Sequence, residues 1–306
     1  MQKDTPFFIL VFNSKYLALH SMDQISFSLL LIAIAFFAGV IGALTGLGGG
    51  IIIVPALTLA LGIPMKYAVA TSLISVIGTS SGAAAAYVKE GYTNMEIGMF
   101  LQIATTLGAI IGAVVIVWFK IPVDILGIIF GAVLVLTAIL TAQKKPDHRE
   151  PITNGSLAYK LQLFGTFPVN GKDEAYGSRN PILGSLVMVS AGFLSGLLGV
   201  GGGVFKVLAM DNVMRLPFKV STTTSNFMIG VTAVASAIIY FAGGYVIPFI
   251  TAPVLIGIIL GSFVGAKVLA KINVNLLKRI FAILVAVIAL YMMYNGIVGN
   301  FSAKHH

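Results

Sequence analysis

The sequence predicts an all-α polytopic membrane protein made of two inverted-topology repeats of about five helical segments each. Three observations lead there. First, only 9% of the 306 residues are Asp, Glu, Lys or Arg, while 58% are hydrophobic, and the mean hydropathy is +1.00. A soluble domain carries about 25% charged residues, so these charges do not cover a soluble surface. Second, apolar runs recur at about the 20-residue length that spans a bilayer. Third, the second half of the chain repeats the first at a constant offset.

The same composition excludes other classes. Disorder needs low hydrophobicity and high charge. With no Cys, disulfide scaffolds, thiolate metal sites and cysteine nucleophiles fall away. The four His, at 20, 148, 305 and 306, all lie outside the apolar runs. No metal and no cofactor is expected. A net charge of +9 reads as basic loops beside a membrane, not as nucleic-acid binding.

The runs come in order. Residues 1–22 form an interfacial or extra segment: Phe7 to Phe12 is too short to span, and no Ala-x-Ala cleavage pattern marks a signal peptide. Met22 is an alternative start. The first repeat, 23–142, holds Phe27–Thr45, Ile51–Gly62, Tyr67–Val88, Ile97–Phe119 and Val123–Ala142. A polar stretch, 143–181, reads as a solvated linker with both signs of charge. The second repeat, 182–300, holds Ile182–Leu198, Val204–Met214, Val220–Gly243, Tyr245–Ala270 and Leu276–Val298. Two runs are half length, and each follows a triple glycine.

The repeat is ungapped from Ala38 to Tyr92. Gly46-Leu47-Gly48-Gly49-Gly50 matches Gly199-Val200-Gly201-Gly202-Gly203, Pro64-Met65-Lys66 matches Pro217-Phe218-Lys219, and Thr71-Ser72 matches Thr224-Ser225, each 153 residues apart. If the short runs do not cross, the basic residues divide ten to eight between the two sides. If they do cross, the division is thirteen to five. Lys and Arg collect on the cytoplasmic side. The second count therefore favours ten crossings, inverted halves and a cytoplasmic central loop.

Short runs at matching places in two repeats point to a transporter site near the midplane. Gly48, Gly49, Gly50 and Gly201, Gly202, Gly203 allow sharp turns and close backbone approach by a ligand. A run of about 12 residues rises only about 18 Å, so one end of each short run lies inside the membrane. The competing reading of such glycines is tight helix packing, which is how Gly78/Gly82, Gly108/Gly112 and Gly257/Gly261/Gly265 are read. Thr71 and Ser72, with Thr224, Ser225 and Asn226, offer hydroxyls and an amide to an oxyanion, against the alternative of back-bonding within their helix. Leu73 stands where Asn226 would have its mate. Lys206 is an ionisable residue inside an apolar run, a functional candidate by default; snorkelling or pairing with Asp211 is the alternative. Its mate is Ile53. No HExxH, GxSxG or Walker motif is present, so catalysis is not expected.

The series Gly46-Leu47-Gly48-Gly49-Gly50, Val54-Pro55 and Ala70-Thr71-Ser72, repeated as Gly199 to Gly203 and Thr223-Thr224-Ser225-Asn226-Phe227-Met228, resembles the sulfite exporter TauE/SafE family of membrane permeases. The resemblance covers about residues 25–298. It implies transport of sulfur-containing anions, such as sulfite or sulfonates, or of other organic acids across a bacterial cytoplasmic (inner) membrane. Leu208 replaces the proline found at Pro55, so the second short helix is expected to be less kinked. The expected partners are a small anionic substrate, membrane lipid and a coupling proton, with a homodimer as a candidate assembly. The expected function is a secondary transporter working by alternating access. A passive anion channel and a non-transporting assembly factor or receptor are the alternatives.

Overall fold

The computed structural model describes residues 23–45, 48–89, 92–119, 121–142, 150–169, 172–269 and 274–299. The expected interfacial segment 1–22 and the motif residues Gly46 and Leu47 lie outside these. Eight helices of 18 to 25 residues dominate the described residues. They are α1 (Gln24–Thr45), α3 (Met65–Lys89), α4 (Met95–Trp118), α5 (Val123–Ala142), α7 (Pro181–Leu198), α9 (Phe218–Ala242), α10 (Pro248–Leu269) and α11 (Val274–Ile297). Two short helices, α2 (Gly50–Pro55) and α8 (Gly203–Leu208), follow the triple glycines. The protein is an all-α polytopic membrane protein, and among its described residues five helices are long and apolar enough to cross a bilayer.

Local chemistry sets the ends of these elements. Asn94 caps α4 by accepting from Ile97 N. Pro181 opens α7, where its missing N–H costs nothing. Gly199 ends α7 at φ +70, a left-handed backbone that glycine adopts without a Cβ penalty.

Packing exchanges elements between the halves. α1 lies along α10, and α7 lies along α4; these are the same pair with the halves swapped. α3 packs on α9 and α5 on α11. Glycines set the separations. Gly257, Gly261 and Gly265 rest on the carbonyls of Ile32, Phe36 and Val40, so α1 and α10 run parallel. Gly108 and Gly112 rest on the carbonyls of Val189 and Phe193 in the same sense. Gly131 faces Ala289 and Met293 while Gly296 faces Asp124 and Ile128, so α5 and α11 run antiparallel. Lipid tails give apolar side chains no reason to prefer protein, so close backbone contact supplies the attraction instead. Ile103, Leu107, Ile111, Ile238, Phe241 and Val287 face outward. In water such surface would aggregate; in a bilayer it is the solvated face.

The two short helices are alike. α2 continues as a π-helical turn over Ala56–Ala60, and α8 continues as one over Ala209–Val213. Pro55 stands at φ −61, ψ −39 and Leu208 at φ −63, ψ −40. The expected weaker kink at Leu208 is therefore not found. Both segments widen at the same step, so surrounding packing and not the proline ring sets the geometry.

The linker also differs from the expected solvated strand of chain. It holds a helical turn, α6 (Leu157–Lys160), and an antiparallel hairpin of β1 (Gly165–Val169) and β2 (Lys172–Tyr176). Leu163, Phe167 and Tyr176 are buried with Ile97, Leu101, Met214, Leu216 and Val220 in a second small core. Arg215 pairs with Glu150 at 2.8 Å.

The Gly192→Leu variant is expected to force α7 from α4, because a Cβ at Gly192 collides with the carbonyl of Thr105. Overpacking of this kind costs roughly 1–3 kcal/mol or more. Thermal unfolding in detergent should show it, with Leu107→Ala, on the lipid-facing side, close to unchanged.

Candidate functional site

The two glycine turns meet at one point. Gly48 and Gly201 both stand at φ +74. A methyl group at Gly48 would lie 3.4 Å from Val76 Cγ1 and 3.6 Å from Ile229 Cγ2. At Gly201 it would lie 3.0 Å from each of these same atoms. Val76 and Ile229 are themselves equivalent positions in the repeat. Four residues, two from each half, thus surround a common centre. Gly50 is as tightly held: a Cβ there would meet Gly199 O at 2.5 Å and Ser72 Oγ at 2.7 Å. The turns are not identical, since Gly202 is left-handed at φ +65 while Gly49 stands at φ −64.

The expected hydroxyls divide into two groups. Ser72 and Ser225 reach the turns. Ser72 Oγ donates to Gly199 O at 2.7 Å, and Ser225 Oγ donates to Gly203 O at 3.2 Å. The first proton satisfies a turn carbonyl, and the second reaches the carbonyl of the first residue of α8. Thr71 and Thr224 stand apart, at the joints with α10 and α4. The Thr71 and Thr251 hydroxyls are 3.1 Å apart, and Thr224 Oγ1 accepts from Asn94 N at 3.1 Å. Asn226 is buried, and its Nδ2 has no hydrogen-bond partner. An unpaired buried amide donor costs about 1–3 kcal/mol, so this group is chemically primed for an acceptor.

Lys206 is fully buried, which removes the snorkelling reading. Its Nζ donates to Thr232 Oγ1 at 2.8 Å and to Met228 O at 3.3 Å. Both oxygens are neutral. Thr232 Oγ1 also accepts from Gln102 Nε2 at 3.1 Å and donates to Met228 O at 2.8 Å. Gln102 Nε2 reaches Thr106 Oγ1 at 2.7 Å, and Gln102 Oε1 is buried without a partner. The equivalent residues in the repeat are Ile53 for Lys206, Leu255 for Gln102 and Ile259 for Thr106. Three members of this polar cluster therefore have apolar equivalents in the other half, while Thr232 does not.

Sequence reading missed Gln102, Thr232 and Asn94. Gln102 carried a usable signal, an amide within the apolar run Ile97–Phe119, and such polar residues in a span usually find partners across helices. Thr232 has Thr79 as its mate and gave no distinguishing mark.

Among the described residues, an apolar exterior closed over buried hydroxyls, amides and Lys206 defines an integral membrane protein with its chemistry turned inward. Residues 31–292 match the family described as sulfite exporter TauE/SafE, and the chain belongs to that family. It is 28% identical over 284 residues to the probable membrane transporter protein YunE of Bacillus subtilis, covering 88% of this chain and 98% of that one. It is 29% identical over 266 residues to the probable membrane transporter protein YdhB of the same organism, at 87% and 100% coverage. A probable membrane transporter protein of Methanocaldococcus jannaschii is 30% identical over 280 residues, at 86% and 94%. No solved structure matches the chain. The chain is a membrane transporter.

The Thr232→Val variant removes the nearer acceptor from Lys206. It is expected to cost roughly 1–3 kcal/mol, the penalty for stranding a buried polar partner. Adding Lys206→Met should return much of that loss, since no ammonium then needs the hydroxyl. Detergent melting of the two single variants and the double variant measures this coupling.

Proposed function

We propose that this transporter carries small sulfur-containing or organic anions, such as sulfite or sulfonates, by alternating access between two inverted halves. The observation that carries the reading is Lys206: a buried lysine three residues after the second glycine turn, whose Nζ donates to two neutral oxygens, Thr232 Oγ1 and Met228 O. A positive charge so placed favours an anion. The antiparallel packing of the equivalent helices α5 and α11 and the exchanged pairs α1–α10 and α7–α4 support inverted halves. The family description supports the substrate class.

In this reading Lys206 and the unpaired amide of Asn226 contact the anion. Gly48, Gly49, Gly50, Gly201, Gly202 and Gly203 let the backbone come close to it. Ser72 and Ser225 hold the turns in place, and Thr71 and Thr224 sit at the joints that move. Val76 and Ile229 fill the centre, so they separate when an anion enters. A proton is the coupling ion, and the linker lies in the cytoplasm of a bacterial-type inner membrane.

Sulfite and sulfonate flux into proteoliposomes tests this. The wild type should transport at least one of them, and Lys206→Ala should lose about tenfold or more, the worth of one charge-assisted hydrogen bond of roughly 1.5–3 kcal/mol. Equal flux and equal KM in Lys206→Ala would sink the role of Lys206. Current through the wild type without any saturation would instead favour a passive channel.

A further inference from the structure

The two ends of the molecule repeat the same joint, but among the described residues only one of them is tied to the linker. At the linker end, Lys219 lies over the Tyr92 ring at 5.3 Å. At the opposite end, the equivalent Lys66 lies over the equivalent Tyr245 ring, also at 5.3 Å. Thr224 meets the start of α4, and Thr71 meets the start of α10. There the likeness stops. The linker end has Asn94, where the opposite end has Ile247.

Asn94 uses every part of its polar inventory. Its Oδ1 caps α4 through Ile97 N at 2.9 Å. Its backbone N–H donates to Thr224 Oγ1 at 3.1 Å. Its Nδ2 donates to Tyr176 OH at 2.9 Å and to Phe164 O at 3.2 Å. Next to it, Thr223 Oγ1 donates to Tyr92 O at 2.9 Å. Tyr176 belongs to the linker strand β2 and is 1% exposed, so its ring does not swing away freely. Ile247 offers no side-chain hydrogen bond at all.

We propose that Asn94 is a positioning residue that ties the linker hairpin, through Tyr176, to Thr224 at the start of α9, and so biases the transporter toward a closed linker end. The inference rests on the alternating-access reading above. Two equivalent joints that open in turn have equal free energies only if their contacts are equal. The Asn94–Tyr176 tether exists at one joint, so opening that joint loses contacts that opening the other does not. Burial pushes the Tyr176 phenol up to about 12, with the Asn94 hydrogen bond opposing and the Glu96 charge adding to the rise. The acceptor thus stays a neutral phenol across the working pH range.

The chain has no cysteine, which makes a single introduced thiol a clean reporter. Thr93 lines a cavity of about 420 Å³ between the hairpin and α4, shared with Asn94, Glu96, Phe164 and Tyr176. Thr93 is half-buried, with its Oγ1 shielded, so opening of the joint raises the exposure of position 93. Full-length Thr93→Cys in proteoliposomes is labelled with a water-soluble maleimide, alone and with Tyr176→Phe or Asn94→Ser. Tyr176→Phe keeps the ring packed on Phe167 and loses only the hydroxyl. Asn94→Ser keeps an N-cap oxygen for α4 and loses the amide that reaches Tyr176 and Phe164. Each should raise the labelling rate roughly fivefold, the population shift of one net hydrogen bond. Each should also change the KM for sulfite while the melting temperature falls by no more than a few degrees. If the protein transports sulfite but both variants label and transport like wild type, the tether is overturned and the transport reading stands. If the wild type moves neither sulfite nor a sulfonate, that reading fails and the inference fails with it.

Discussion

Two stretches of non-helical backbone are buried where no water reaches them, and each must have its carbonyls and N–H groups satisfied by protein. In lipid an unmet backbone group costs several kcal/mol, so broken helices at this depth survive only inside a closed shell. The rest of the architecture follows from that need. Ser72, from the first half, donates to the carbonyl of Gly199 in the second half's turn. Ser225 donates to Gly203 within its own half. The glycines let Val76 and Ile229 close over both turns at once, and neither turn is complete without the other half.

The distribution of polarity is the reverse of a soluble protein's. Among the described residues, serines, threonines and the buried Lys206 lie within, while isoleucine, leucine and phenylalanine face out. Helices then associate through backbone contact at glycine, as along α4 and α7 or α1 and α10. The same small residues leave room in the interior for hydroxyls to bond across helices, such as Ser80 to the carbonyl of Asn226 at 2.6 Å. Packing and polar satisfaction are thus two results of one choice of residue size.

Duplication made two equal halves, and substitution then made them unequal. Lys206 faces Ile53, Gln102 faces Leu255, Asn226 faces Leu73 and Asn94 faces Ile247 across the repeat. Each exchange sets a polar side chain against an apolar one, and all four polar members pack around α9 or its neighbours. The repeat supplies two equivalent halves. The one-sided polar set gives them different chemistry.

Much was legible in the residues alone. The membrane class, the ten apolar runs, the repeat and the buried position of Lys206 follow from hydropathy and spacing, which depend on transfer to lipid and not on neighbours. The triple glycines marked the broken segments because glycine tolerates the left-handed turn that Gly48 and Gly201 adopt. Tertiary structure alone decided which partners those residues meet. Spacing set Thr71 and Ser72 side by side as two donors to one ligand. The fold sends Ser72 to a turn carbonyl and Thr71 to Thr251, because adjacent helical residues point about 100° apart. Only packing placed Gln102 and Thr232 beside Lys206, and only packing made the charged linker a docked hairpin. A side chain's polarity is written in its own residue, but its hydrogen-bond partner is set by helices distant in the chain.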